Sequence, residues 1–376
     1  MKNILITGGA GFIGSNLTKK LVEKAYIVTI LDNLSKQIHG DYQESSLDNS
    51  IKEISTFIKG DVRKKADWEK ALQGQDVVIH LAAETGTGQS MYEVEKYNNV
   101  NVDGTKKLID ILENKNHQIQ KVIIASSRAI YGEGKYNCKE HGIIYPKERK
   151  GEDLKNGRFN LICENCKIEL QLLPTDESST INPSSHYATT KYQQEKMILK
   201  MGKSLNIPTI ALRYQNVYGP GQSLSNPYTG ILSIFSTRIL NGNNIDIYED
   251  GKESRDFVFI DDVVDATILA LENNQANHEV FNVGSGVGIS VEFVAEMLKE
   301  KYNSNINLEI SGKYRIGDIR HNIADLTKVK KVLGFKPKID FKSGISKFTG
   351  WVKTQEIQED KYDASIKKLK NKGLLK

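Results

Sequence analysis

The sequence predicts an α/β fold: a doubly wound parallel sheet with a smaller C-terminal lobe and a small cysteine-rich insert. Three observations carry this. Short Val/Ile/Leu-rich runs recur at strand–helix–strand spacing, a glycine-rich turn follows the first run, and a cysteine-bearing segment interrupts the rhythm. The runs span residues 3–7, 26–31, 76–82, 121–126, 208–213 and 279–283. Each is nearly continuous in branched aliphatics, the pattern of strands buried on both faces of a parallel sheet. Between the first two runs, Phe12, Ile13, Leu17, Leu21 and Val22 fall on a helical period, so the unit is βαβ.

The chain has 376 residues, enough for one large α/β domain or two smaller ones. It is 39% hydrophobic and 26% charged, with a net charge of +5. That charge suits an anionic small molecule and is too diffuse for nucleic acid. No apolar run approaches the ~18 residues of a membrane span. The start carries no signal-peptide pattern, and three cysteines make no disulfide framework. A cytoplasmic protein with neither membrane nor nucleic-acid partner is expected. The division expected is a dinucleotide-binding domain at 1–132, 179–216 and 252–283, an insert at 133–178, a substrate lobe at 217–251 and 284–354, and a helical tail at 355–376. The basic stretch 366–372 reads as a solvated helix end.

Gly8, Gly11 and Gly14 follow the first strand and open the first helix, the context that makes such a motif a phosphate cradle. Gly8 allows the tight turn, Gly11 the close approach of a pyrophosphate, and Gly14 the packing of helix on strand. The helix N-terminus adds free N–H groups and a positive dipole end. Asp32 closes the second strand 18 residues after Gly14. A carboxylate there accepts from both ribose hydroxyls and repels a 2′-phosphate, which favours NAD over NADP.

Tyr187 and Lys191 stand one helical turn apart, about 180 residues beyond the glycine turn. A tyrosine of pKa near ~10 is a poor base at neutral pH, and a nearby ammonium favours its phenolate. Lys191 can also hold the nicotinamide ribose. Ser127, at the end of the fourth strand run, offers a hydroxyl to the substrate oxygen from which Tyr187 takes a proton. Within the insert, Cys138 and His141 are followed, with 21 residues between, by Cys163 and Cys166. This is the spacing of a closed, structural tetrahedral Zn²⁺ site.

In this order the glycine turn, Ser126-Ser127 and Tyr187-Ala188-Thr189-Thr190-Lys191 resemble the extended short-chain dehydrogenase/reductase family, over roughly residues 1–350. The resemblance implies a Rossmann-type domain holding NAD tightly. Phe12, Ile13, Asn33, Asp61 and Val62 would contact the cofactor, Leu81, Ala82 and Ala83 would cover the pyrophosphate, and Asn101 would join them. It also implies a nucleotide-sugar substrate. Asn216, Arg255 and Arg315 match diphosphate-binding positions, and Asp318 a position near the nucleoside ribose. Thr85, Gln89, Ser90, Ser127, Arg128, Tyr228 and Thr229 would flank the sugar. Arg128 and Ala129 occupy the places where 4,6-dehydratases of the family carry an acid pair, which excludes dehydration. The wording of the sugar-facing loops and the cysteine-rich insert resemble the bacterial dTDP-L-rhamnose 4-epimerase group. NAD-dependent C4 epimerisation follows, with dTDP-L-rhamnose to dTDP-6-deoxy-L-talose as first choice. The alternatives are a UDP-glucose or UDP-N-acetylglucosamine 4-epimerase, a sugar-nucleotide reductase or dehydrogenase, and, in another class, a non-catalytic NAD-binding scaffold. Family members pair through the helices around 94–113 and 186–203, so a homodimer is implied.

Overall fold

A computed structural model describes residues 2–40, 49–228 and 230–376. Its centre is a seven-stranded sheet in which every pairing is parallel. Five of its strands are β1 (Asn3–Thr7), β2 (Ile27–Asp32), β3 (Thr56–Lys59), β4 (Val77–His80) and β5 (Lys121–Ser127). Across the sheet the order is Val280–Val283, Thr209–Tyr214, β5, β4, β1, β2, β3. Successive side chains alternate between two apolar layers. Ile4, Ile6, Val77, Ile79 and Ile123 join Leu17 and Leu21 of helix α1 (Phe12–Glu23) on one face. Leu5, Val78, Val122 and Ile124 join Trp68, Leu108 and Ile198 on the other. Both faces are dry, which is why these strands read as unbroken apolar runs. β3 has no such run. It is the edge strand, and only Phe57 and Ile58 of its four residues pack inward.

The strand order reverses between β1 and β4, which opens a crevice at their carboxyl ends. A second sheet forms beside it from Asn216–Tyr218, Ser254–Phe259, Gly288–Ser290 and His321–Asn322. Residues 254–259, assigned by sequence to the dinucleotide-binding domain, thus pair within this smaller sheet. The helix that follows, Ile260–Glu272, returns to pack on α1.

The insert has its own three-stranded antiparallel sheet, with Tyr136–Cys138 between Gly142–Ile144 and Gln171–Leu172. Its core is Tyr136, Cys138, Leu161, Cys163 and Leu170. In the tail, Lys367, Lys368, Lys370 and Lys372 are exposed, yet Leu369 and Leu375 are buried. The tail is therefore packed, not merely solvated: Tyr314 N–H donates to the Lys376 carbonyl and Ile316 N–H to that of Leu374, both at 2.9 Å. No helix among the described residues is long and apolar enough to cross a membrane.

Candidate active site

A cavity of about 540 Å³ fills the crevice. Gly8 turns there with φ +67°, and a Cβ on it would stand 2.8 Å from Ala82 N. A Cβ on Gly14 would meet the Gly8 carbonyl and Gly9 Cα at 2.5 Å, so glycine is what lets α1 start against β1. No side chain caps α1 and no acid sits in its first turn, leaving its N–H groups to an anion. Asp32 lies on the cavity wall. Its oxygens accept from Ala10 N (3.1 Å) and Leu34 N (2.9 Å), with His39 Nε2 at 3.9 Å. Burial raises its pKa against these contacts. Phe12, Ile13, Asn33, Val62, Leu81, Ala82 and Ala83 also line the wall, as do Ser35, Ile38 and His39, which no motif marked.

Asp61 and Asn101 stand behind this wall. Asp61 forms a 2.7 Å ion pair with Arg63, which overcomes burial and holds its pKa at about 2. Asn101 lies in a π-helical segment, Asn98–Asp103. It accepts from Glu84 N (2.7 Å) and donates to Glu84 O (3.1 Å) and Thr190 Oγ1 (3.0 Å), tying the loop after β4 to the helix of Tyr187.

β5 is buried throughout and delivers Ser127 to the cavity. Tyr187 and Lys191 reach it from the first turns of helix His186–Leu205, which the Ser185 side chain caps. Burial raises the Tyr187 pKa, while its hydrogen bond to Ser127 and the charge of Arg128 lower it. Lys191 turns its ammonium to Gln194 Oε1 at 2.7 Å. Burial brings its pKa down to about 7, with Glu195 opposing. Arg128 is thus one cation that bears on the phenol. Tyr97 packs edge-on against Tyr187 (6.4 Å between ring centroids) and donates to the Thr85 and Gly86 carbonyls at 2.6 and 2.9 Å.

Under this helix runs a buried pair. Arg213 Nη2 and Nε grip Glu195 at 2.6 and 3.0 Å, and Ser126 Oγ donates to Glu195 at 2.6 Å.

On the opposite wall stand Thr85, Arg128, Asn216 and Tyr228. Gln215 Nε2 and Oε1, Asn216 Oδ1 and Gln222 Oε1, on residues lining this wall, are buried without protein partners. Orphaned polar atoms of this kind, gathered on one surface, mark a polar ligand's place. Gln89 and Ser90 face away from the cavity. Gln89 exchanges hydrogen bonds with Gln37 at 2.9 Å, and Ser90 donates to Thr87 O at 2.6 Å. Thr229 lies outside the described residues.

Arg255, Arg315 and Asp318 come together, but on one another. Asp318 pairs with Arg255 at 3.2 Å and Arg315 at 3.0 Å. Burial would raise its pKa, yet Arg315 and Arg255 hold it well below the usual carboxylate range. Arg255 spends its other donors on the carbonyls of Ser254, Ile319 and Arg320 (2.8–3.0 Å). Among the described residues no hydrogen bond claims Arg128, and burial with Arg255 nearby lowers its pKa to about 10.

Cys138, His141, Cys163 and Cys166 converge, with ligand atoms all within 4.8 Å of one another. The insert reaches the lobe through Arg149. Its Nη1 and Nη2 each donate to Glu249 at 2.8 Å, Nη2 also donates to Asp318 O at 3.0 Å, and Nε lies 3.2 Å from Glu133.

The model of the NAD dependent epimerase/dehydratase family matches residues 4–149 and 168–284, so the break falls inside the cysteine insert. The dTDP-L-rhamnose 4-epimerase of Burkholderia thailandensis is 35% identical over 95% of this chain and 96% of its own length. The UDP-N-acetylglucosamine 4-epimerase of Methanobrevibacter ruminantium, solved with UDP-N-acetylmuramic acid, is 32% identical with a TM-score of 0.74, covering 94% of this chain and 99% of that one. The Thermus thermophilus UDP-glucose 4-epimerase, solved with NAD, is 25% identical with a TM-score of 0.73, covering 94% and 100%.

Proposed function

The chain belongs to the NAD dependent epimerase/dehydratase family, and we propose that it is a nucleotide-sugar 4-epimerase interconverting dTDP-L-rhamnose and dTDP-6-deoxy-L-talose. One observation carries the reaction class: Ser127, Tyr187 and Lys191 open into the same cavity as the glycine turn and Asp32. The donor set fits NAD. Free N–H groups of α1 suit a pyrophosphate, and Asp32 suits ribose hydroxyls. The dTDP-L-rhamnose assignment rests on the Burkholderia relative, which is similar along its whole length.

Ser127 and Tyr187 hold the C4 oxygen between their hydroxyls, and Tyr187 removes its proton. NAD held by the glycine turn and Asp32 would supply the acceptor and donor for the C4 hydride. Arg128 stabilises the phenolate, and Lys191 holds the nicotinamide ribose. Gln215 and Asn216 offer unclaimed amide groups to the diphosphate end, and Arg128, Arg255 and Arg315 supply its positive field. The 4-keto sugar would turn about its diphosphate link to present its other face, and Tyr187 would return the proton to the C4 oxygen there.

The test is incubation with dTDP-, UDP- and GDP-sugars without added cofactor, reading product stereochemistry. C4 epimers should interconvert without net NADH, and Tyr187→Phe should remove most activity. Stoichiometric NADH would indicate a dehydrogenase, and preference for a UDP-hexose would discard the rhamnose assignment. No turnover of any sugar would favour a scaffold.

We infer further that Cys138, His141, Cys163 and Cys166 hold one structural Zn²⁺, since three thiolates and one imidazole form a closed soft set. Metal analysis should find about one zinc per chain, lost in Cys163→Ser; a metal-free native protein ends this assignment. Two copies would pair through the helices around 94–113 and 186–203, and a monomeric mass by light scattering would refute that.

A further inference from the structure

Beneath Lys191 lies a polar chain that the reaction above does not use. Thr7, His80, Thr105 and Gln194 are each 0% exposed, and they link β1, β4, the helix Gly104–Asn114 and the helix of Tyr187. Its hydrogen-bond directions can be worked out. Thr105 donates its hydroxyl hydrogen to the Asn101 carbonyl at 2.6 Å, so its oxygen can only accept from its other neighbours. Those are Gln194 Nε2 at 2.8 Å and His80 Nε2 at 3.0 Å. His80 therefore carries its hydrogen on Nε2, and its Nδ1 accepts from Thr7 Oγ1 at 2.6 Å. Thr7 in turn accepts from Ala82 N at 3.2 Å. The Gln194 amide then has one orientation. Its nitrogen is committed to Thr105, and its oxygen must face the Lys191 ammonium.

We propose that Gln194, oriented by Thr105 and His80, is the positioning residue of Lys191 and ties it to the strand ends that carry the glycine turn. The inference rests on the proposed reaction for its kinetic arm only. An amide oxygen held in one place favours the ammonium over the amine. It fixes the ammonium at the cavity floor, and through it the charge state available to Tyr187. His80 serves as a rigid neutral spacer: burial and Lys191 press its pKa down to about 3. The charged and titratable groups bearing on Lys191 and Tyr187 are Glu195 on the same helix, Arg213 holding Glu195, His80 on β4, and Arg128 and Tyr97 beside the phenol. Asp103 and Lys106 pair with each other at the surface.

Two readouts test this. In ¹⁵N-histidine-labelled protein, His80 should show the Nε2–H tautomer and no titration between about pH 5 and 8, where a free imidazole would titrate. The opposite tautomer, or titration in that range, overturns the assignment whatever the enzyme's substrate. In kinetics, Gln194→Met should lower kcat about 10- to 100-fold with KM within about threefold, and move the acid limb of kcat upward by about one pH unit. Gln194→Glu keeps an acceptor for the ammonium and should restore most of kcat. Equal losses in both variants, or a loss without a pH shift, refute positioning. If Gln194→Met does not fold, Thr105→Val should show the same pattern more weakly and Thr105→Ser should not. A wild type inactive on every sugar nucleotide would count against the proposed reaction and leave the tautomer result standing.

Discussion

Arg213→Met should destabilise the protein more than any single surface change, because it strands a buried carboxylate. The Arg213 and Glu195 side chains are only 6% and 2% exposed. Besides its two bonds to Glu195, the guanidinium donates to Tyr131 Oη at 2.7 Å and the Glu177 carbonyl at 3.1 Å. Removing one member of a buried pair costs about 3–5 kcal/mol, since the remaining charge keeps its desolvation penalty. Glu195 would retain only the Ser126 hydroxyl, and Glu177 O would lose a donor, so the upper half of that range applies. Urea unfolding of wild type, Arg213→Met and Glu195→Leu/Arg213→Met measures it from the midpoints, provided the slopes agree. The double variant should be less destabilised than Arg213→Met, because the Glu195 carboxylate is removed together with the guanidinium that held it. The reasoning fails if Arg213→Met costs less than about 1 kcal/mol, or if the double variant is no better than the single.

Gly14→Ala places a methyl 2.5 Å from backbone atoms of Gly8 and Gly9, so the turn must shift. NAD affinity, measured by calorimetry, should fall at least about tenfold, equivalent to ~1.4 kcal/mol; undiminished binding would separate the turn from the cofactor. Glu253 is buried with Oε2 unpartnered, and burial pushes its pKa up to about 7. A carboxyl raised above its unfolded value of about 4.3 contributes stability present below that pH and lost as pH rises through about 7. Glu253→Gln should therefore flatten the decline in thermal midpoint between about pH 4.3 and 7, and parallel curves for the two proteins would rule this out.

What could be read from the chain beforehand follows from how locally each feature is encoded. Strands buried on both faces announce themselves as aliphatic runs, and the glycine turn by spacing, because backbone clearance at Gly8 and Gly14 tolerates no Cβ. Cys138, His141, Cys163 and Cys166 stood out as two short pairs, and the structure brings the two pairs together. β3 was not, since an edge strand with two inward residues leaves no periodic trace. Gln215 and Gln222 belong to no motif and become meaningful only when seen buried and unpartnered. Gln89 and Ser90 belong to a motif-like loop, yet the short helix Thr87–Ser90 turns them inward. In the sequence His80 is one polar residue in an aliphatic run, and its partners Thr7 and Thr105 come from two distant segments.

Arg149 bears on how this protein can change. It leaves the insert and ends on Glu249 and the Asp318 carbonyl of the lobe, while Arg320 of the lobe returns to Asn160 of the insert at 3.0 Å. The insert is therefore not a detachable ornament. Grafted onto a relative with no acid at position 249, it would carry a guanidinium into a dry interface with nothing to receive it. Deleted from this chain, it would take Arg149 away from the buried Glu249 and leave that carboxylate to Arg320. Gain or loss of the cysteine segment in such a lineage has to be accompanied by changes in the lobe, so the two should be inherited as a pair.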